Sequence, residues 1–463
     1  MKLSLAHIGH AMQAVGDYEN SQDLIASGIQ TDSRLVQPGD LFVCISGQRF
    51  DGHNFAREAV HKGALGVVVE RPLLDLSTEV PMFLVHDSMQ ALTDLAADWR
   101  RQFQGRVIGV TGTAGKTSVK EMVAAILQQR GAVGKNYKNF NNQLGLSLSI
   151  LAMNGREDYW VLEAGVSEKK EMEVLADVLI PDLAVIVNVG PAHLQGLDSV
   201  AGVAREKAKL VQAVPDGGAA VFSLDYPELT QVIFGREDIS GCSFSLHPEG
   251  KADLYLDHED KDAAGDYRLA IKGQEARIEL CLPKGRSWIK ENVLAAVSVA
   301  WYLGVPASEI QNGMNQVKLP EHRGQILTCG GLTILDDCYN ANPLSMGWAL
   351  DWAREKAGSG DLVLILGEMK ELGDQAEASH WDLGTWAAET GAGHVVYFGG
   401  HEQSVCQGFE QAGGGALHLV QSEEQFARLW PQLNVHSAVI LVKGSRGCAL
   451  ERFVQLIQQE YRA

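Results

Sequence analysis

The chain has 463 residues, 46% of them hydrophobic, and a formal net charge of −19 at pH 7. That length exceeds one ordinary core and predicts about three domains, while the acidity argues against a nucleic-acid partner, which needs a basic face to neutralise phosphates. No apolar run approaches the ~18 residues of a membrane span, and the N-terminal residues turn polar too early for a secretory signal, so the default expectation is a cytoplasmic protein.

Residues 1–86 carry short apolar runs at 41–45, 66–69 and 82–85 with a helix-like stretch at 55–62, and predict a small α/β domain. Residues 87–318 form the second expected domain. Its apolar strands at 107–111, 159–163 and 183–187 alternate with helical patterns, which indicates a buried, mostly parallel sheet. Between 219 and 283 the pattern alternates, as in Tyr267-Arg268-Leu269-Ala270-Ile271, and polar turns such as Asp262-Ala263-Ala264-Gly265 appear; antiparallel strands added at one edge are expected there. Residues 319–463 hold buried strands at 332–335, 362–366, 395–398 and 438–442 and read as a Rossmann-like third domain. Seven cysteines without a CxxC pair fit reduced thiols better than a disulfide framework or a zinc site.

The run Val107-Ile108-Gly109-Val110-Thr111-Gly112-Thr113-Ala114-Gly115-Lys116-Thr117-Ser118 is a phosphate-binding loop between an apolar strand and an amphipathic helix. Backbone N–H groups around Gly112 and Gly115 would cradle phosphates at a helix N-terminus, Lys116 would reach the outer phosphates, and the Thr117 hydroxyl would sit on Mg²⁺. Val110 stands where the usual loop has its first glycine, so the loop is a variant.

Strand ends in parallel sheets bind ligands, and several here carry candidates. Glu163 would emerge near the loop, placed to hold Mg²⁺, or else be a satisfied strand-end carboxylate. His193, just past the strand at 183–187, is either a packed histidine or a metal ligand, and its place beside the loop favours the second. The cluster Asn139, Asn141, Asn142 and Gln143 suits ligand binding and turn formation equally.

Thr111-Gly112-Thr113-Ala114-Gly115-Lys116-Thr117 resembles the TGTxGKT loop of the Mur ligases and their folylpolyglutamate synthetase relatives, where this glycine spacing is the rule. Thr31-Asp32-Ser33-Arg34, Gly39 to Val43 and Asp51-Gly52-His53-Asn54-Phe55 resemble the uridine-nucleotide domain of the Mur ligases that add the third residue and the terminal dipeptide; folylpolyglutamate synthetase lacks that domain. Asp336-Asp337-Cys338-Tyr339-Asn340-Ala341-Asn342-Pro343-Leu344-Ser345-Met346 resembles the DDSYNANPxSM signature of the dipeptide-adding branch, and segments 367–373 and 442–446 agree with it.

The resemblance implies an α/β protein of three domains: a small uridine-nucleotide domain, a central ATP-binding domain and a Rossmann-like ligase domain. It implies ATP and Mg²⁺ as cofactors, UDP-N-acetylmuramoyl-tripeptide and D-alanyl-D-alanine as substrates, and, by default, a monomer. Carried over residue by residue, Gly112, Thr113, Ala114, Gly115, Lys116, Thr117 and Ser118 would hold ATP, with Thr117, Glu163, His193 and a carbamylated Lys207 completing the metal sites. Read without the family, Lys207 is a solvated helix lysine, and Lys209 is an equal candidate. Asn292 would meet adenine, although Trp288 and Ile289 replace the His-Asn usually found before it. Arg323 would reach the γ-phosphate, and Asp337 and Asn340 would hold ribose and base. Ser33, Arg34, Asp51, Gly52, His53, Asn141, Asn142, Lys443 and Arg446 would contact the other substrates.

The reaction so implied is amide formation through an acyl phosphate. Lys116, Glu163, His193, Lys207 and Arg323 would serve it, at a site completed by domain closure. Three other readings are a third-residue-adding ligase, a P-loop switch that hydrolyses nucleotide, and a silent nucleotide-binding scaffold.

Overall fold

The computed structural model describes every residue except 1, 17, 19–20, 48–49, 75, 77–79, 138, 234–239, 262–266, 274–276, 283–288 and 461–463. The turn expected at 262–265 and Trp288 lie outside the described residues. The chain is α/β, with three principal sheets arranged in chain order.

The first principal sheet has four parallel strands, Gly28–Gln30, Asp40–Val43, Gly66–Val69 and Met82–Leu84, neighbours in space as in sequence. One face of this unit does not end at its own boundary: Leu5, Leu41, Val68 and Phe83 belong to the same buried cluster as Leu92, Leu95, Leu146, Leu162 and Leu175 further along the chain. Helix Ser88–Gln102 supplies part of that shared core, and its buried Arg100 donates to the carbonyls of Leu179 and Ile180 at the C-terminus of helix Glu171–Leu179. A cation at a helix C-terminus meets carbonyls that have no partner within the helix.

The second sheet has nine strands. Arg106–Thr111 lies between Leu183–Ile186 and Tyr159–Glu163, with Val133–Lys135 beyond the latter. The strand order therefore reverses beside Arg106–Thr111, and the phosphate loop leaves the sheet at that switch point, where open α/β sheets bind ligands. On the other side, Ala219–Ser223 and Ser240–Ser245 continue the parallel sheet, and Leu254–Lys261 pairs parallel to Ser240–Ser245. The expected antiparallel edge is present but narrower than residues 219–283: its first strands stay parallel. Ala219-Ala220-Val221-Phe222-Ser223 is almost wholly buried, with helix Pro227–Ile233 following it as a crossover, which permits parallel pairing. Only Tyr267–Gly273 and Arg277–Leu282 add antiparallel strands.

The third sheet has six strands in the order Gln325–Cys329, Gly331–Asp336, Ser437–Lys443, Leu362–Gly367, His394–Phe398, Ala416–Val420, and all pairings but the first are parallel. The first and last of these strands escape a reading from periodicity because each lies at an edge, and Ala416–Val420 is largely half-exposed. All seven cysteines are free. Among the described residues no helix is long and apolar enough to cross a membrane.

Candidate active site

The phosphate loop is shaped by glycine and by a brace from the neighbouring strand. Gly115 has φ +77° and caps helix Lys116–Leu127, whose apolar face, Val119, Met122, Val123, Ile126 and Leu127, is buried. The backbone N–H of Thr113 donates to Asn188 O at 3.1 Å, and that of Ala114 donates to Asn188 Oδ1 at 2.9 Å. Asn188 in turn donates through Nδ2 to Glu291 Oε2 at 3.1 Å, and Tyr226 donates to Glu291 Oε1 at 2.7 Å. Lys116 curls back, its Nζ donating to Gly112 O at 2.8 Å, and burial holds its ammonium below the usual lysine range.

Glu291 gives a pH prediction. Burial raises its carboxyl to about 7 from an ordinary value of 4.5, against the hydrogen bonds from Tyr226 and Asn188, which lower it. As pH rises from 4.5 to 7 the unfolded chain loses this proton while the folded chain keeps it, so folding stability falls across that window and levels off above it. The loss is on the order of 3 kcal/mol. Denaturant unfolding at several pH values should show a slope that Glu291→Gln flattens; equal slopes in both proteins would remove Glu291 as its source.

The carboxylate end of the site is built around Glu163, which is 1% exposed. Its Oε2 accepts from Thr117 Oγ1 at 2.7 Å and its Oε1 from Asn141 Nδ2 at 2.6 Å. Its backbone is held on both sides by the Asn136 amide, and Lys120, wholly buried within the loop's helix, donates from Nζ to Asn136 O at 2.9 Å. His193 sits at φ +53°, with Nδ1 2.5 Å from Glu371 Oε2, and this contact keeps the Glu371 carboxyl below its usual range.

Lys207, on helix Val200–Gln212, is 1% exposed, so the solvated-lysine reading is overturned. Burial, followed by the nearby Lys116 charge, pushes its amine far below the usual lysine range. Lys209 faces the other way and pairs with Glu173 at 2.9 Å and Glu206 at 2.6 Å, which removes it as an equal candidate.

The third sheet brings its own strand ends to the loop. The Arg323 guanidinium stacks 3.9 Å from the centre of the Tyr339 ring, and Tyr339 N donates to His322 O at 3.0 Å. Lys443 is buried, and its Nζ meets Asp337 Oδ2 at 2.5 Å and Asn340 O at 3.1 Å. It is therefore a paired lysine rather than a free cation. Burial holds the Asp337 carboxyl above its usual range despite that partner. Arg446 N donates to Asn340 Oδ1 at 3.3 Å. Asn342 caps helix Pro343–Ala357 and also donates to Thr113 O at 3.4 Å, so the third unit touches the loop across 229 residues of sequence.

A cavity of about 460 Å³ lies between these parts. Thr113 to Ser118, Asn141, Asn142, Glu163, His193 and Asn292 line it from the central unit, and Arg323, Asp337, Asn340, Lys443 and Arg446 from the third. Asn292 Oδ1 is buried there without a hydrogen-bond partner among the described residues, which suits a ligand donor.

Models of the Mur ligase family match three segments: the catalytic domain at 26–100, the Mur ligase middle domain at 110–300 and the glutamate ligase domain at 322–446. The chain is 33% identical over 454 residues to the UDP-N-acetylmuramoyl-tripeptide–D-alanyl-D-alanine ligase of Treponema pallidum, covering 94% of both chains. It belongs to the Mur ligase family. The corresponding ligase of Escherichia coli is 31% identical over 94% of this chain and 95% of its own. Two solved structures are similar in fold. MurF from Acinetobacter baumannii has a TM-score of 0.90 at 27% identity, covering 99% of both chains. MurF from Thermotoga maritima in complex with ADP has a TM-score of 0.82 at 27% identity, covering 94% of this chain and 98% of that one.

Within this Mur ligase cavity most of the residues expected from sequence meet. Gly112 and Lys207 are not among its lining: Gly112 acts through its carbonyl on Lys116, and Lys207 is buried where the Lys116 and Glu163 charges act on it. Ser33, Arg34, Asp51, Gly52 and His53 belong to the first unit and do not reach it. Several of their side chains are already engaged. Ser33 donates to Glu58, Arg34 pairs with Asp32 at 2.6 Å, and Asp51 pairs with Arg71 at 2.6 Å. The His53 side chain is fully buried with both ring nitrogens used, Nδ1 against Asp51 and Nε2 accepting from Glu70 N, which makes it a brace for the 51–55 turn. Sequence reasoning missed Asn136, Lys120, Asn188 and Glu291, which support the site through contacts absent from any local pattern. A lysine among the helix's apolar residues was the one available signal, at Lys120.

Proposed function

We propose that the chain is an ATP-dependent ligase that joins D-alanyl-D-alanine to UDP-N-acetylmuramoyl-tripeptide, giving the pentapeptide precursor of peptidoglycan. The observation that carries this reading is the single cavity in which a phosphate loop and the 336–346 strand end face each other, in a chain similar along 94% of its length to such ligases. The three units would divide the work at 1–86, 87–318 and 319–463, in a monomer acting in the cytoplasm.

ATP lies with its phosphates over Gly112 to Thr117, the loop amides and Lys116 offsetting their charge. Asn292, Asp337 and Asn340 take the nucleoside end. The first unit, through the turns bearing Ser33, Arg34, Asp51, Gly52 and His53, holds the uridine diphosphate half of the other substrate. Asn141, Asn142, Lys443 and Arg446 are assigned to the peptide end. The terminal carboxylate of the tripeptide attacks the γ-phosphorus, ADP leaves, and an acyl phosphate forms. The amine of the dipeptide then attacks the acyl carbon, loses a proton and expels phosphate, leaving an amide. Hydroxyl and carboxylate oxygens from Thr117, Glu163 and a carbamylated Lys207, with His193, are a donor set that fits Mg²⁺. Bound there, Mg²⁺ supplies positive charge between two anionic reactants.

The test is phosphate release from ATP with UDP-N-acetylmuramoyl-tripeptide, with and without D-alanyl-D-alanine. Release that needs both is expected. Nucleotide hydrolysis without any amino acceptor would favour a P-loop switch, and a preference for a single third amino acid would favour the earlier step of the stem. Arg323→Ala should lower turnover by about 10²-fold, because its guanidinium meets charge that develops on the γ-phosphate. A mainly raised KM with unchanged kcat would place Arg323 outside that role.

A further inference from the structure

Outside the cavity, the third unit gathers donors that ligation does not use. His322 offers Nδ1, Asp336 a carboxylate and Cys338 its Sγ, and these three atoms lie within 4.8 Å of one another. None of the three residues lines the cavity. Asp336 and Cys338 are essentially buried, and His322 is half-buried at φ +61°. The carboxylate is already shared, with Oδ2 2.7 Å from His322 Nδ1 and Oδ1 3.0 Å from Cys338 Sγ.

The three donors come from separate pieces of backbone: His322 from the turn before strand Gln325–Cys329, Asp336 from the end of strand Gly331–Asp336, and Cys338 two residues beyond it. A nitrogen, an oxygen and a sulfur converging where little water reaches are a donor set for a metal ion.

We propose that His322, Asp336 and Cys338 form a binding site for a borderline-soft divalent cation of the zinc class, separate from the nucleotide site. Three mixed N, O and S donors, with water in the fourth position, match zinc, whereas a thiolate is a poor ligand for magnesium. On binding, the Cys338 thiol proton and any proton shared by His322 and Asp336 pass to solvent, so the ion meets a thiolate and a neutral imidazole. The bound ion ties the turn before Arg323 to the strand end before Asp337 and Tyr339. It is a structural pin next to the site, and it stands or falls independently of the ligase reading.

Cobalt(II) alone, titrated into the metal-free full chain, tests this by absorption. The expected result is a thiolate-to-cobalt charge-transfer band that saturates at one equivalent, is bleached by zinc and is unaffected by excess magnesium. Cys338→Ser, which keeps a donor to Asp336, should fold normally and lose the band; His322→Gln should weaken cobalt binding about tenfold or more. Zinc should raise the melting temperature of the unsubstituted chain and leave that of Cys338→Ser unmoved. Absence of a band, or one that survives in Cys338→Ser through another thiol such as the exposed Cys281, overturns the site, as does unchanged cobalt affinity in His322→Gln.

Discussion

Replacing Lys207 by alanine is expected to abolish ligation, by about 10³-fold or more, while leaving the chain folded. In the proposed role its amine adds carbon dioxide and releases a proton, turning a cation into an anionic oxygen ligand. Only a neutral amine can do this. Burial favours that state: Lys207 is 1% exposed, and the Lys116 charge disfavours a second ammonium nearby. Alanine suits the interior of helix Val200–Gln212, so the structural cost is mainly the vacated volume, about 2 kcal/mol. Steady-state phosphate release and a thermal melt separate the two effects. Removing carbon dioxide from the buffer should slow the unsubstituted enzyme reversibly; near-normal turnover of Lys207→Ala would sink the assignment.

Gly115→Ala is expected to eliminate ATP binding and to destabilise the chain at the same time. An L residue at φ +77° costs about 1–2 kcal/mol in backbone strain alone. A Cβ there would also lie 1.9 Å from Asn292 Oδ1, so the buried Asn292 side chain must turn aside or the loop must shift, costing on the order of 2 kcal/mol more. A shifted loop misplaces the amides that form the phosphate cradle, and a turned Asn292 leaves its place in the cavity wall. Gly217→Ala is the control, since Gly217 has φ +83° and a Cβ added there meets no described atom within 4 Å, and it should show the backbone cost without the loss of nucleotide. Equilibrium ATP binding and denaturant unfolding on both variants check this. Equal losses in the two would trace the effect to φ alone.

What could be read from the sequence was what short stretches encode by themselves. A glycine-rich turn between an apolar strand and a helix makes its own phosphate cradle, because the donors are consecutive backbone amides, and so residues 107–118 declared their chemistry without help. The parallel strands were legible for a similar reason, being buried on both faces and therefore apolar throughout. Lys207 was assigned its role only through the resemblance, since its local pattern reads as an ordinary surface helix.

Only the tertiary structure decided which polar groups meet and which are withdrawn from water. Glu291 supports the phosphate loop through Asn188 across 103 residues, and Asn342 reaches Thr113 across 229. Lys443 is committed to Asp337, and both nitrogens of His53 are used inside its own domain. Whether a lysine is a solvated cation or a buried neutral amine depends on the side chains folded around it from distant segments. Desolvation and charge pairing act through space, and the chain order carries no record of those distances.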